Sequence, residues 1–321
     1  MEYPTTASPV DPALLMALAG IAYAEPGDVP RYLAEYAPTA AWKSVWIADA
    51  EEVPVNFAFI AQAPTGEFVV AIRGTYPMPL NWAYWEDAAQ ENPFSPFVAW
   101  PYASNGAEVT QGVLDGFTNV LALSGAGTSF TSAISALPTD AAITVVGHSL
   151  GGSIAPLVAH WLSTHHAGSV SLATFAGMTP GDAAFASLFG GDGVPADRWW
   201  NTLDTVAYGW NDVLGTADFY QPAPQGGPLV KAAIENLAAK LAEVPYASVG
   251  TSRPLDGELA YALIGYLFQN LYQHLPNTYL GLFNAPPLPF TLSTTTVVER
   301  STNIAEDTSP IRIVNLATAI E

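Results

Sequence analysis

The sequence has no cysteine, little positive charge and no long apolar run, and each of these shortages excludes a class of protein. With no cysteine among its 321 residues, the chain has no disulfide scaffold, thiolate zinc site, iron–sulfur cluster or cysteine nucleophile. Nine Lys and Arg against 29 Asp and Glu give a formal net charge of −20, so we expect no nucleic-acid partner. No apolar run reaches the roughly 18 residues of a spanning helix, so we expect no transmembrane segment.

What is present is typical of a packed globular protein. Half of the residues are hydrophobic and 12% are charged, and the length fits one domain over residues 1–321. The apolar stretch 14–24 resembles the hydrophobic region of a secretion signal, but Glu2 and Asp11 precede it rather than Lys or Arg. We therefore predict a buried first helix that starts at Asp11 and Pro12, and no signal peptide. This favours a cytoplasmic location or export by another route.

Strand and helix patterns alternate along the chain, which predicts an α/β fold with a mostly parallel sheet and helices on both faces. The predicted strands are 53–62, 67–73, 142–146, 170–175 and 199–206. The predicted helices are 109–123, 127–137, a stretch after the third strand to about 165, 228–244 and 257–273. Within the single domain we predict an insertion at about 210–273 and an irregular tail at about 286–321.

The segment GHSLGG at 147–152 holds a G-x-S-x-G pentapeptide directly after the uniformly apolar strand 142–146. A serine on a sharp strand-to-helix turn needs neighbours that are almost free of side chains, here Gly147 and Gly151. The turn raises the hydroxyl above the sheet, and the following helix offers free N–H groups to a developing oxyanion. The pattern predicts Ser149 as a nucleophile; the alternative is a tight glycine turn with a bystander serine.

Several motifs occur together with this turn, in the order AIRGT (71–75), NW (81–82), GHSLGG (147–152), RWWNTLDTV (198–206) and HLPNTY (274–279). Together they resemble the class 3 lipases, the fungal-type triacylglycerol lipase family of the α/β-hydrolase superfamily. The resemblance runs from about residue 13 to residue 282. It implies an α/β-hydrolase fold and a serine carboxylic-ester hydrolase that needs no cofactor and no metal.

A serine hydroxyl needs a base within hydrogen-bond reach, and five histidines compete for that role. His148 is next to Ser149, where its side chain points away from the hydroxyl, so we expect it to pack under the turn. His160, His165 and His166 lie on or just past the helix after the turn, and we interpret them as helix-surface residues. His274 lies in a predicted loop, and by resemblance it matches the family's catalytic histidine.

The carboxylate that orients the base is one of seven aspartates between Ser149 and His274. Such a residue belongs at the C-terminal end of a sheet strand, which Asp204 fits. By resemblance Asp204 also aligns with the family's R-V-V-N-x-x-D-x-V pattern. The alternative is Asp212. The chain order Ser–Asp–His is that of α/β-hydrolases.

The oxyanion hole is expected to comprise the N–H of Leu150, which follows the nucleophile, and a donor after an earlier strand. By resemblance that donor is Thr75, at the end of AIRGT. The alternative is that residues 73–75 only end a strand.

Residues 81–106 occupy the family's lid position and are rich in proline and aromatic side chains. One reading is an apolar flap that opens at a lipid surface, with Trp82, Trp85, Phe94 and Phe97 as substrate-lining candidates. The other is a fixed loop that lines a small pocket for soluble esters.

The predicted substrate is a neutral fatty-acyl ester such as an acylglycerol, because a charge of −20 disfavours anionic membranes. Within enzymes the alternatives are a short-chain or feruloyl-type esterase and a phospholipase A1. From another class, the alternative is a non-catalytic α/β-hydrolase relative that binds an apolar ligand. The fungal enzymes carry disulfides, so their absence favours a bacterial or intracellular relative. The oligomeric state stays open.

Overall fold

A computed structural model describes residues 7–49, 56–75, 90, 92–220, 227–259 and 266–288. The helices are α1 (Pro12–Ile21), α2 (Val29–Glu35), α3 (Gln111–Ala122), α4 (Phe130–Ser135), α5 (Leu150–His165), α6 (Ala183–Ala186), α7 (Gly227–Leu241), α8 (Tyr266–His274) and α9 (Pro276–Leu282). The strands are β1 (Lys43–Ile47), β2 (Ala58–Gln62), β3 (Phe68–Ile72), β4 (Phe97–Ala99), β5 (Glu108–Thr110), β6 (Ser124–Gly125), β7 (Thr128–Ser129), β8 (Ile143–His148), β9 (Val170–Phe175), β10 (Gly181–Asp182), β11 (Ala196–Asn201), β12 (Tyr246–Ala247) and β13 (Thr251–Leu255).

The central sheet has seven strands in the order β1-β2-β3-β8-β9-β11-β13. The pairs from β3 through β13 are parallel, and β1, β2 and β3 pair antiparallel. Every residue of β8 and β9 is buried, which explains why most of their side chains are apolar or small. Because the strands from β3 onward run the same way, their carboxyl ends lie at one edge of the sheet. The predicted mostly parallel α/β architecture is confirmed.

The N-terminal stretch forms the buried helix that its sequence predicts. In α1 the side chain of Asp11 accepts a hydrogen bond from Ala13 N at 2.8 Å, and Pro12 is the first helical residue. The helix is buried along most of its length and packs on β8. Among the described residues, no helix combines the length and the hydropathy required to cross a membrane.

Several predicted elements begin or end elsewhere, and strand β13 of the central sheet lies inside the predicted insertion at 210–273. The helix predicted over 109–123 starts only at Gln111, because Val109 pairs with Gly181 and Val98 in a small sheet of order β12-β10-β5-β4. The helix predicted over 127–137 begins at Phe130, after the short hairpin of β6 and β7. The strand predicted over 199–206 ends at Asn201, whose carbonyl accepts a turn hydrogen bond from Asp204 N at 2.9 Å.

Candidate active site

The turn between β8 and α5 has the strained backbone that a nucleophilic serine requires. Ser149 has φ 59° and ψ −131°, a conformation that a residue with a side chain rarely adopts. Its N–H is bound to the carbonyl of Phe175 at 3.0 Å, at the end of β9. This contact and the helix that follows hold the serine at the carboxyl edge of the sheet.

The glycines beside Ser149 are required by close backbone contacts. A Cβ on Gly147 would lie 2.1 Å from the carbonyl oxygen of Gly151, and one on Gly151 would lie 2.3 Å from that of Ile72. Both distances are far below van der Waals contact, so a side chain at either position would displace the turn. The G-x-S-x-G pattern therefore reflects packing of α5 against β8 and β3.

Ser149, His274 and Asp204 form one hydrogen-bonded chain. His274 Nε2 is 2.8 Å from Ser149 Oγ, and His274 Nδ1 is 2.8 Å from Asp204 Oδ2. Asp204 is fully buried, whereas the His274 side chain keeps 18% exposure. The imidazole therefore bridges a buried carboxylate and a serine hydroxyl, the arrangement that general-base activation of a serine needs.

His274 is the last residue of helix α8 rather than part of a loop, which corrects the predicted location. The C-terminal end of a helix carries partial negative charge from carbonyls that lack intrahelical partners. An imidazolium formed at His274 is therefore stabilised from its own backbone side as well as by Asp204.

Asp204 has two further donors, neither of which the sequence identifies. The N–H of Val206 donates to Asp204 Oδ1 at 3.0 Å, and the hydroxyl of Tyr279 donates to Oδ2 at 2.8 Å. Burial, together with the charge of Asp204, holds the pKa of Tyr279 well above its ordinary value, so the phenol keeps its proton and stays a donor. Tyr279 was visible in the HLPNTY segment, but nothing in that segment indicates which residue its hydroxyl meets.

Asn201 links the end of β11 to the end of α8. Its N–H donates to the Tyr279 hydroxyl at 3.0 Å, and its side-chain Nδ2 donates to the carbonyl of Gln273 at 3.0 Å. Asn201 is completely buried. It therefore holds the strand that leads to Asp204 and the helix that ends in His274 at a defined separation.

His148 packs under the turn as predicted and does not reach the serine hydroxyl. Its Nε2 lies 2.9 Å from the main-chain carbonyl of His274, and its Nδ1 lies 2.8 Å from the Tyr23 hydroxyl. Burial, and then the neighbouring His274, hold the pKa of His148 well below its ordinary value. His148 is therefore a neutral ring beside the site.

The histidines of α5 are remote from this chain of residues, but one of them corrects the prediction of a surface position. His160 is buried and its Nδ1 accepts a hydrogen bond from Trp100 Nε1 at 3.0 Å. Burial lowers the pKa of His160, so it is a neutral acceptor for the tryptophan. His165 is exposed in the last turn, and His166 follows it.

Asp212, the alternative acid, is exposed, and no described contact joins it to His274. Asp204 is the aspartate whose carboxylate the structure places on the imidazole. The geometry thus separates two candidates that sequence position alone left open.

Of the two predicted oxyanion donors, Leu150 directly follows the serine, and Thr75 follows a glycine that packs on the serine turn. Leu150 is the first residue of α5, where a helix leaves its N–H groups without intrahelical partners. A Cβ on Gly74 would lie 2.5 Å from the carbonyl oxygen of His148 and 3.0 Å from Ser149 Cβ. The backbone just before Thr75 is therefore pressed against the turn that carries Ser149.

The predicted lid segment is described only in part. Trp82 and Trp85 lie outside the described residues. Phe94 is exposed, and Phe97 packs its ring 5.1 Å from that of Tyr246. Phe97 also belongs to β4, which pairs with β5, and the adjoining Trp100 is buried. Residues 97–100 are thus packed on the rest of the protein, as the reading of a fixed loop expects for this part of the segment.

Over the part of the chain that the structure describes, no three histidine or acidic side chains converge as metal ligands. The groups that do converge, a hydroxyl, an imidazole and a carboxylate, are those of proton transfer and nucleophilic attack.

Comparison with known proteins connects this geometry to a family. Residues 69–208 match the profile of the family described as Lipase (class 3). The matched segment contains Thr75, Ser149 and Asp204 and ends before His274. No curated protein matches the chain.

Solved structures share the fold. The M37 lipase is 23% identical, with a TM-score of 0.71 over 90% of this chain and 96% of its own. A triacylglycerol lipase whose catalytic centre is a serine-protease triad is 18% identical, with a TM-score of 0.52 over 77% of this chain and 79% of its own. The Rhizomucor miehei lipase in its propeptide complex is 19% identical, with a TM-score of 0.51 over 77% and 66%. At these identities the likeness establishes the α/β-hydrolase fold.

Proposed function

We propose that this chain is an ester hydrolase that cleaves neutral fatty-acyl esters, such as acylglycerols, through an acyl-enzyme on Ser149. Its residues 69–208 match the class 3 lipase family. The observation that carries the proposal is the chain of two 2.8 Å hydrogen bonds from Ser149 through His274 to Asp204. It joins three residues that lie far apart in the sequence at the carboxyl edge of one sheet.

In the first half of the proposed reaction, Ser149 Oγ attacks the ester carbonyl and its proton passes to His274 Nε2. The carbonyl π electrons move to the carbonyl oxygen, and that oxyanion accepts hydrogen bonds from Leu150 and Thr75. Asp204 accepts the Nδ1–H of His274 and stabilises the imidazolium. The tetrahedral intermediate then collapses, and the departing alkoxide takes the proton from Nε2 and leaves as the alcohol.

In the second half, water replaces the alcohol. His274 Nε2 takes a proton from the water while the water oxygen attacks the acyl carbonyl. The second tetrahedral intermediate then expels Ser149 Oγ, which regains its proton from the imidazolium. The products are a carboxylic acid and the free enzyme. With a net charge of −20, the protein repels a fatty carboxylate once it ionises, which supports product release.

The neutral character of the proposed substrate is supported by the same charge. A strongly acidic surface is repelled by anionic membranes and anionic headgroups, so uncharged acyl esters approach the site at lower electrostatic cost. The same repulsion favours acylglycerols over the anionic phospholipids that a phospholipase A1 could take.

A second candidate, a soluble short-chain or feruloyl-type esterase, is favoured by one observation. Residues 97–100, in the C-terminal part of the predicted lid, form a paired strand and a buried tryptophan instead of a flap. A segment that is fixed instead of opening as a flap suits a small ester in solution. The preferred length of the substrate's acyl chain therefore separates the two candidate functions.

The test is the initial rate on p-nitrophenyl esters from acetyl to palmitoyl, with Ser149→Ala as the inactive variant. Ser163→Ala, at an exposed serine of the same helix, is the matched control and should retain the parent rates. A maximum at long acyl chains that disappears in Ser149→Ala supports the lipase. A maximum at acetyl or butyryl that also disappears supports the esterase. Equal rates in Ser149→Ala and the parent would overturn the proposed mechanism, and a folded parent inactive on every ester would favour a non-catalytic binder.

A further inference from the structure

A second hydrogen-bonded chain reaches the backbone of His274. It consists of the Tyr23 hydroxyl, the imidazole of His148 and the main-chain carbonyl of His274. We propose that His148 is a positioning residue, which holds the catalytic histidine by its backbone, and that Tyr23 sets the tautomer in which His148 can do so. The inference rests on the proposed function, because it defines the role of His148 relative to the base.

The acceptor at one end of this chain determines where the proton of His148 lies. A carbonyl oxygen only accepts, so His148 Nε2, 2.9 Å from the His274 carbonyl, carries a hydrogen and donates it. In a neutral ring Nδ1 is then an acceptor, and the Tyr23 hydroxyl at 2.8 Å donates to it. The two contacts together admit one neutral tautomer, with the proton on Nε2.

The surroundings of His148 keep the ring uncharged. It is almost fully buried, and the titratable groups that face it are Tyr23, His274 and Tyr279, at ring-centroid distances of 5.8, 4.7 and 5.7 Å. Neither phenol supplies a negative charge at neutral pH, and an imidazolium at His274 would repel a second positive ring. Burial and that repulsion lower the pKa of His148. His148 therefore stays neutral while His274 gains and loses its proton.

The contact of His148 with the His274 carbonyl matters because His274 is the last residue of α8. The last carbonyls of a helix have no intrahelical donor, and a helix end without such donors frays. Here two consecutive carbonyls are bound by side chains from other elements, that of Gln273 by Asn201 and that of His274 by His148. The backbone of the base is thus held by β11 on one residue and by the serine turn on the next.

This arrangement couples the nucleophile and the base through the main chain. His148 directly precedes Ser149, so a bond from its ring to the backbone of His274 fixes the separation of the two reacting residues independently of the bond between their side chains. A displacement of about 1 Å in such a pair can cost about 100-fold in rate. We therefore expect loss of the His148 contact to lower kcat and to leave KM nearly unchanged.

Two amide variants isolate the contact. In His148→Gln the amide nitrogen extends to the position of Nε2 and can still donate to the His274 carbonyl. In His148→Asn the amide reaches only to the position of Nδ1, so the link to Tyr23 can persist while the carbonyl loses its donor. We expect His148→Gln to keep kcat within about threefold, and His148→Asn to lower it by about 10- to 100-fold with KM within about twofold.

Equal kcat values for the two folded amide variants would overturn the proposal, as would a loss in His148→Asn that appears in KM. Should His148→Asn fail to fold, Tyr23→Phe provides the same test, since it removes only one hydroxyl. We expect it to lower kcat severalfold at unchanged KM, and an unchanged kcat would contradict the role of Tyr23.

A spectroscopic measurement tests the tautomer without reference to activity. In ¹⁵N-histidine-labelled protein, with the resonances of His148 identified by their loss in His148→Gln, we expect the neutral Nε2–H form from about pH 6 to pH 8. In Tyr23→Phe we expect the Nδ1–H tautomer to be populated as well. An Nδ1–H form, or titration near the ordinary pKa of about 6.5, would overturn the inference. Activity that survives Ser149→Ala would instead refute the proposed function and leave the tautomer result standing.

Discussion

One buried aspartate lies near each end of strand β11, and the two carboxylates have different kinds of partner. Asp197, near the amino end, accepts a hydrogen bond from Arg253 at 2.8 Å and one from Ala7 N at 2.6 Å. Asp204, just past the carboxyl end, is bound by His274, Tyr279 and the N–H of Val206. One carboxylate has a permanent cation as partner, and the other has a histidine and two neutral donors.

The difference between the partners of Asp197 and Asp204 explains why one carboxylate is structural and the other supports a reaction. An arginine never releases its proton under ordinary conditions, so the pair of Asp197 and Arg253 is a permanent ionic link between β11 and β13. An imidazole can take a proton and return it, so the charge beside Asp204 appears only when His274 is protonated. The same residue type thus stabilises the fold at one edge of the sheet and supports proton transfer at the other.

The largest expected effect is a loss of kcat when the aspartate at the reactive end, Asp204, is changed. Asp204→Asn keeps the shape of the side chain but removes the charge that orients the Nδ1–H of His274 and stabilises the imidazolium. We expect kcat on a p-nitrophenyl ester to fall by about 10³- to 10⁴-fold, while the free energy of unfolding changes far less. A variant with more than a tenth of the parent rate would contradict the assignment of Asp204.

The second effect is a loss of stability when the aspartate at the structural end, Asp197, is changed. Asp197→Asn removes the carboxylate that lies 2.8 Å from Arg253, whose side chain is only 15% exposed. We expect the free energy of unfolding in urea to fall by about 3 kcal/mol, with kcat of the folded protein unchanged. The double variant Asp197→Asn, Arg253→Met removes the nearly buried cation as well and should recover part of that loss. A fall in kcat without loss of stability would show that the two ends are not separable.

A smaller effect sharpens the description of the reactive end. Tyr279→Phe removes one donor from the Asp204 carboxylate and leaves Asn201 N without its acceptor. A hydrogen bond to a charged group contributes about 1.5–3 kcal/mol, and we expect about a tenfold fall in kcat with KM unchanged. An unchanged kcat with only a lower unfolding free energy would make Tyr279 a purely structural residue.

The smallest effect concerns pH and the histidine that stays neutral. Above its ordinary pKa of 6.5, His148 is uncharged in both the folded and the unfolded chain and contributes no pH dependence. Below that pH the unfolded chain binds a proton that the folded protein, with its lowered pKa, does not. Stability is therefore lost as pH falls, by about 1.4 kcal/mol per pH unit for one such histidine.

His148→Gln removes this contribution, so its unfolding free energy should fall less steeply between about pH 6.5 and pH 5. Urea unfolding of both proteins across this range measures the difference. Identical slopes would show that His148 titrates normally in the folded state. His160, also buried and neutral, is present in both proteins and cancels from the comparison.

Sequence reasoning succeeded where chemistry is local. The G-x-S-x-G turn follows from neighbouring residues, and the buried strands β8 and β9 follow from uninterrupted apolar runs. The Asp11 cap of α1 is equally local. Each of these depends on a few adjacent positions, so one sequence is enough to predict them.

The rest depends on contacts between distant segments. His160 looks like a surface residue of α5 until Trp100, 60 positions away, is known to donate to it. Val109 and Thr110 continue a helical pattern, yet pairing with residues 97–99 and 181 places them in a strand. The contact between Tyr279 and Asp204 spans 75 positions. Nothing in a local pattern indicates such partners.

The most direct test of the central claim is covalent labelling by a fluorophosphonate, followed by peptide mass spectrometry. If Ser149 is the nucleophile that His274 activates, the folded protein carries a single adduct on the peptide that contains Ser149. Ser149→Ala should then carry none, and Asp204→Asn should label far more slowly. An adduct on another residue, or a folded parent protein that hydrolyses esters without labelling, would contradict the account.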